Sequence, residues 1–274
     1  MRPDELARLV GAMRIFDLEH PRRLGDPVFP PHQPGTMFLL HRRHEPGGGE
    51  RRSSASGFIF TAEHAGTHID AFVHQAVDMT LYGGVAVSPA VQTPAGFTQM
   101  GIDTVPPLIG RGVLLDVAAL RGGRLAEGAM VTAVDLAETE KAQGLEVAAG
   151  DVALVRTGND EAWGDPERYL RGPGISREAS EWLAARKVRA VGADNVAWDL
   201  PGYVDEGLGM ALPGHVVLLV QAGIYIIENL NLAELASERC HDFLFLCLPL
   251  KIRGGTASPV RPLGLAPLPG RTIS

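Results

Sequence analysis

The run His64-Ala65-Gly66-Thr67-His68-Ile69-Asp70-Ala71-Phe72-Val73-His74 draws three of the chain's nine histidines and one aspartate into a single short segment. Core packing does not call for imidazoles at that density, so the spacing is read as chemistry. On a straight strand the α-carbons of His64 and His68 would stand about 13 Å apart, at ~3.3 Å per residue, too far to share an ion through bonds near 2 Å. On a helix, residues i and i+4 are about 6 Å apart, but Gly66 and the β-branched Thr67 disfavour a helix here. The remaining reading is a tight turn at Gly66 that swings His68 and Asp70 toward an ion already held by His64. Two imidazoles and a carboxylate form the donor set of zinc or manganese and leave a position open for water. Such an ion lowers the pKa of its water toward neutrality, and His74 is then within reach as general acid and base. Two other readings of the same cluster stay open: hydrolysis of a lactone or ester, and a metal held only for folding.

Outward from this run, the chain divides into two textures. The first 60 residues alternate short apolar runs (Arg14 to Leu18, Met37 to Leu40, Phe58 to Phe60) with loops rich in proline and glycine, His20 to Gly35 and Pro46 to Gly49. The long loop from His20 to Gly35 is a candidate rim of a site, or else a mobile connector. From Arg111 onward strands alternate with helices, which predicts an α/β fold. Strands are expected at Arg111 to Val117, Val152 to Arg156, Val188 to Val191 and Ile224 to Ile227, and a last one at Phe243 to Leu248. Val216 to Val220 reads as a further β-branched run, broken from its successor by Gly223. Helices are expected from Thr132, capped with Asp135 and stopped at Gly144, from Ser176 through Lys187, and from Asn231 with Glu234 to Ser237.

The 274 residues carry a net charge of -7, with 45% hydrophobic and 21% charged residues. That is enough chain for a full core, either one large domain or two intimate ones. The basic residues lie in short mixed clusters such as Arg42-Arg43 and Arg51-Arg52, not in a stripe, so nucleic acid is not an expected partner. No stretch approaches the ~20 apolar residues of a membrane span, and the amino terminus has no signal-like core, so a soluble cytoplasmic protein is expected. Cys240 and Cys247 lack the C-x-x-C spacing and read as small buried hydrophobes. A G-x-S-x-G elbow, a dinucleotide fingerprint and a P-loop are all missing from the sequence, so the serine-hydrolase reading loses its main support and nucleotide cofactors are not indicated. His20, His32, His41, His44 and His241 read as hydrogen-bonded core or surface residues. Phe38, Phe58, Phe72, Trp163 and Trp198 could wall a site for a flat substrate, although aromatics are more often core; Phe72, inside the histidine run, is the strongest of them. Asp194 and Asn195 could orient a histidine or simply end a strand.

With these residues in view, the chain resembles the cyclase family of metal-dependent hydrolases, which includes bacterial kynurenine formamidase and isatin hydrolase. The run from His64 to His74 is similar to the family signature H-x-G-T-H-x-D-x-x-x-H. His215 and the segment Gly223-Ile224-Tyr225-Ile226-Ile227-Glu228 are similar to its late histidine and its glycine-led strand ending in glutamate. The likeness runs from Ile15 to about Pro249 and includes Pro173 to Ser176 and Val191 to Asp194. It implies a single domain over residues 1–274 with the swivelling β/β/α arrangement, a mixed central sheet and flanking helices. It further implies one or two divalent ions, zinc or manganese. By resemblance, His64, His68 and Asp70 bind the first, His215 and Glu228 complete the second with the aspartate bridging, and His74 is the acid and base. The implied reaction is amide hydrolysis on a small aromatic substrate, an aryl formamide or a lactam, by a homodimer or dimer of dimers. The chain departs from the family's habit at Phe72 and Gln75, where many members have a proline and an aromatic, and it carries extra sequence at Gly122 to Ala149 and Trp163 to Arg171.

Overall fold

In the computed structural model, residues 2–46 and 51–267 are described, so that most of the loop expected at Pro46 to Gly49 lies outside them. The strands used below are β1 (Met13–Asp17), β2 (Thr36–Arg42), β3 (Ser56–Thr61), β4 (His68–Asp70), β5 (Leu108–Asp116), β6 (Val152–Arg156), β7 (Ala190–Ala193), β8 (Tyr225–Glu228), β9 (Asp242–Cys247), β10 (Ala257–Pro259) and β11 (Leu263–Pro267). Nine of them form one mixed sheet in the order β1-β11-β9-β5-β6-β7-β8-β4-β10. The central four, β5 to β8, run parallel, while the pairings outside them are antiparallel.

Parallel strands are covered on both faces and therefore read as continuous apolar runs. Here alternate residues supply two cores. Leu114, Val152, Leu154 and Ile227 enter one, beneath the loops between residues 71 and 105. Val113, Leu115, Ala153, Val155 and Ile226 enter the other, beneath the helices α2 (Ala133–Gln143) and α3 (Arg177–Ala185), which follow the amino-terminal helix α1 (Pro3–Gly11) along the chain. Both helices start as the sequence indicates. Thr132 and Asp135 form a reciprocal capping box on α2, which ends at Gly144 in the left-handed conformation. The Ser176 hydroxyl caps α3.

Three expectations need correcting. Val216–Ala222 is a π-helix, not a strand, entered through Pro213 and closed by Gly223 at φ 67. A short run buried on all sides has no periodicity to separate helix from strand, and the proline start decides it. Asn231 does not cap the following helix; Leu232 holds that position without a side-chain bond. Phe243 to Leu248 is not the last strand, because β10 and β11 follow and carry the sheet to residue 267. Their prolines hide them in sequence, yet Pro259 sits on the edge strand and Pro267 at a strand end, both positions that tolerate a missing N–H.

The two aromatics expected as walls near the amino terminus, Phe38 and Phe58, lie on the β2–β3 hairpin, which among the described residues pairs with no other strand. Each is 62% exposed, and Leu39, Ile59 and Phe60 are exposed beside them, so this ribbon shows apolar side chains on both faces. Trp198 is fully buried and donates to Ser180, and Trp163 stacks on His20 with ring centroids 4.1 Å apart.

Candidate metal centre

Between β3 and β4 the chain makes the bend that the histidine spacing requires. Gly66 takes φ 61, a conformation that a side chain resists, and a Cβ there would lie 2.8 Å from the Arg22 guanidinium. That guanidinium donates to the carbonyls of Ala65 and Thr67 and, through Nε at 2.7 Å, to Glu19. After this clamped turn, His68 and Asp70 lie two apart on a short strand and so face the same way. Glu228 is directly opposite His68 in the β4–β8 pair, which puts both side chains on one face at the carboxyl end of β8. His215 arrives from the helical turn before the π-helix.

Five of the residues singled out in the sequence therefore converge. His64 Nδ1 is 2.9 Å from Asp70 Oδ1, and His68 Nε2 is 3.6 Å from the same oxygen. His215 Nε2 is 3.7 Å from Asp70 Oδ2 and 3.3 Å from Glu228 Oε1, while His68 Nε2 is 3.3 Å from Glu228 Oε2. Donors around an ion with bonds of about 2.0 to 2.1 Å stand ~3.3 Å apart, close to this set. Both Asp70 oxygens and Glu228 Oε1 are buried without a well-formed hydrogen bond, which is costly unless a cation occupies the space between them. The residues thus fit a divalent ion, and the ligand atoms of His64, His68 and Asp70 all lie within 4.8 Å of one another, as do those of Asp70, His74 and His215.

The outer nitrogens of the three imidazoles are already engaged. His64 Nε2 meets Thr256 Oγ1 at 2.9 Å, and that hydroxyl donates to Glu63 at 2.7 Å. His68 Nδ1 meets the Gly66 carbonyl at 2.8 Å, and His215 Nδ1 meets Asp199 at 2.7 Å. Each bond fixes a tautomer and turns the free lone pair toward Asp70. The electrostatics follow from this packing. Burial works against charge on Asp70 and Glu228, but the surrounding imidazoles hold both carboxyls below their ordinary range. Burial likewise opposes charge on His68 and His215, where Glu228 and, for His215, Asp199 outweigh it and raise both. His74 differs, since burial pushes its imidazole down to about 3.

The cluster opens on a cavity of about 180 Å³ whose lining includes Phe29, Pro31, His32, His74, Gln75 and Leu212. The loop from His20 to Gly35 is therefore a wall of the site. His32, read as an ordinary histidine, stacks on His64 with ring centroids 4.4 Å apart and is the site residue that spacing missed; its loop was the only signal. Phe72 does not line this cavity. It stacks on Tyr225 at 4.3 Å and packs against the core under α3, because the short helical turn from Phe72 to His74 points the two rings in different directions. Asp194 and Asn195 do not orient a histidine: Asp194 accepts from Thr157 and Gly158, and the Asn195 amide donates to the carbonyls of Pro173 and Trp198. Asp199, four residues beyond Asn195, holds His215 instead.

The chain is similar in sequence and in fold to known proteins. Isatin hydrolase from Roseibium aggregatum is 26% identical over 220 residues, which span 78% of this chain and 75% of that protein. A crystal structure described as a novel cyclase superposes with a TM-score of 0.82 at 29% identity, covering 96% of this chain and 93% of that one. Isatin hydrolase A from Ralstonia solanacearum superposes with a TM-score of 0.73 at 25% identity, covering 96% of this chain and 94% of that one. The mixed α/β sheet is common to them. The family model described as Putative cyclase matches residues 16–200, a span that holds the whole histidine run and the turn that shapes it, and the chain belongs to that family.

Proposed function

We propose that the protein is a metal-dependent hydrolase that opens a non-peptide carbon–nitrogen bond in a small aromatic compound, an aryl formamide or a cyclic amide. The observation that carries this reading is the Asp70 carboxylate, buried without a well-formed hydrogen bond, ringed by imidazoles with their outer nitrogens engaged, beside an open cavity. His64, His68, Asp70, His215 and Glu228 would hold zinc or manganese, one ion or two, which when bound would supply a Lewis acid and an activated water. His74 lines the same cavity, its ring centroid 4.1 Å from that of His64, and is placed to take a proton from the attacking water and return it to the departing nitrogen. A site built only for folding would be closed by its ligands, whereas this one faces a cavity.

The cavity limits the substrate. Cavities on the order of 150 Å³ admit one benzene ring, and the volume here is about 180 Å³. Phe29, Pro31 and Leu212 offer that ring apolar contact, and the histidines face its reactive group. The relatives named isatin hydrolase act, as named, on a cyclic amide, which favours the amide over the lactone. A panel of N-formyl arylamines, isatin-like lactams and matching lactones tests the assignment: turnover of a formamide or lactam is expected, and turnover of lactones alone would overturn it. The expected homodimer has a natural surface in the β2–β3 hairpin, whose ends lead into His32 on one side and His64 on the other. We assign self-association to that ribbon, since a two-stranded hairpin apolar on both faces is not stable in water unless covered.

A further inference from the structure

Outside the ligand set, one buried side chain joins both segments that carry it. Asn229 follows Glu228 directly, is 1% exposed and takes φ 57. Its backbone N–H donates to the Asn195 carbonyl at 2.9 Å, and its carbonyl accepts from the Thr67 hydroxyl at 2.6 Å. Its side-chain Nδ2 donates to the Gly66 carbonyl at 3.0 Å, the same oxygen that receives His68 Nδ1 at 2.8 Å. The Tyr169 hydroxyl lies 3.0 Å from its Oδ1 and 3.2 Å from the Asp194 carbonyl, the nearer of two acceptors for its one proton being the Asn229 amide.

From this bonding we infer that Asn229 is a positioning residue for the metal ligands, locking the Gly66 turn to the Glu228 strand end, and that Tyr169 sets the direction of its amide. The inference rests on the metal reading above. The residue type is over-determined. A left-handed φ is adopted most readily by glycine, asparagine and aspartate, although Lys187 and Trp198 also take it in this chain. Glycine has no amide to bridge the two segments, and aspartate would set an acceptor against the Gly66 carbonyl. Only asparagine meets both demands. The direction of the amide follows in the same way: with the Tyr169 O–H on Oδ1, the Nδ2 donors face Gly66, and a flipped amide would put oxygen against oxygen. Both acceptor sites of the Gly66 carbonyl are then filled, one by Asn229 and one by His68, which holds the His68 ring with Nε2 toward Asp70 and Glu228.

The test is zinc affinity of metal-stripped protein, read by competition with a chromogenic chelator, for the parent, Asn229→Asp and Tyr169→Phe. Asn229→Asp keeps the shape and the backbone conformation, and is expected to weaken zinc binding ten- to a hundredfold. Tyr169→Phe leaves the amide unanchored and is expected to weaken it by a smaller factor, on the order of threefold to tenfold. A purely structural role would lower the melting temperature of the variants and leave the zinc affinity of the folded protein within twofold of the parent, which would overturn the inference. If Asn229→Asp does not fold, Tyr169→Phe alone decides. A parent that takes up no zinc sinks the proposed function and this inference together, whereas a parent that binds zinc no better than both variants sinks only the inference.

Discussion

The carboxylate of Asp199 lies 2.7 Å from Nδ1 of His215 and also accepts the backbone N–H groups of Gly214 and His215. One buried group thereby fixes the backbone that presents the histidine, the tilt of its ring and its tautomer. Replacing it with asparagine keeps the volume but offers the ring an amide that can present a donor where an acceptor is needed. Asp199→Asn is expected to lower metal affinity ten- to a hundredfold and activity with it, read by metal titration and turnover at fixed metal. Unchanged values in both would remove Asp199 from the site.

His74 separates proton transfer from metal binding. It lines the cavity but is not one of the five ligands assigned here. His74→Ala is expected to keep the metal content of the purified protein and to lower kcat by about 10²- to 10⁴-fold, the usual size of general acid–base catalysis. Loss of metal along with activity would instead make His74 a ligand.

A pH effect independent of the metal comes from His20. Burial pushes this imidazole down to about 4, and its Nε2 has no hydrogen-bond partner among the described residues. The unfolded chain therefore takes up a proton below pH 6.5 that the folded protein refuses until about pH 4, so stability falls as pH falls through that window. His20→Phe keeps the stack on Trp163 and removes the titration. At pH 5 the variant is expected to gain about 2 kcal/mol relative to its difference from the parent at pH 7.5, measured by denaturant unfolding. Parallel unfolding curves at the two pH values would refute the assignment.

The β2–β3 hairpin carries the prediction about assembly. It presents seven exposed large apolar side chains, Met37 to Leu40 and Phe58 to Phe60. The parent is expected to sediment as a dimer or larger, and Phe38→Asp with Phe58→Asp as a monomer. A monomeric parent, or an unaltered oligomer in the double variant, would rule out this surface.

The sequence reveals most where geometry leaves few options. The i, i+4, i+6 spacing of His64, His68 and Asp70 admits no straight strand, Gly66 and Thr67 disfavour a helix, and the structure has the bend at Gly66 that remains. The central strands were legible because parallel strands buried on both faces show as unbroken apolar runs, and α2 because its capping box is local. Other features depend on contacts across the chain. Thr256 and Asp199 stand far in sequence from the histidines they hold, 192 and 16 residues away, and no local pattern marks them. His32 is isolated in a proline-rich loop, and only the loop's return brings it against His64. Phe72 misled because proximity in sequence says nothing about direction: one short helical turn sends His74 into the cavity and Phe72 into the core.

The central claim is that the cluster around Asp70 works through a bound divalent ion. The most direct measurement is turnover of an N-formyl arylamine or an isatin-like lactam by protein stripped of metal and then titrated with zinc or manganese. Stripping is expected to abolish hydrolysis and one or two equivalents per chain to restore it, while Asp70→Asn is expected to be restored by neither ion. Hydrolysis at the parent rate by fully stripped protein would contradict it.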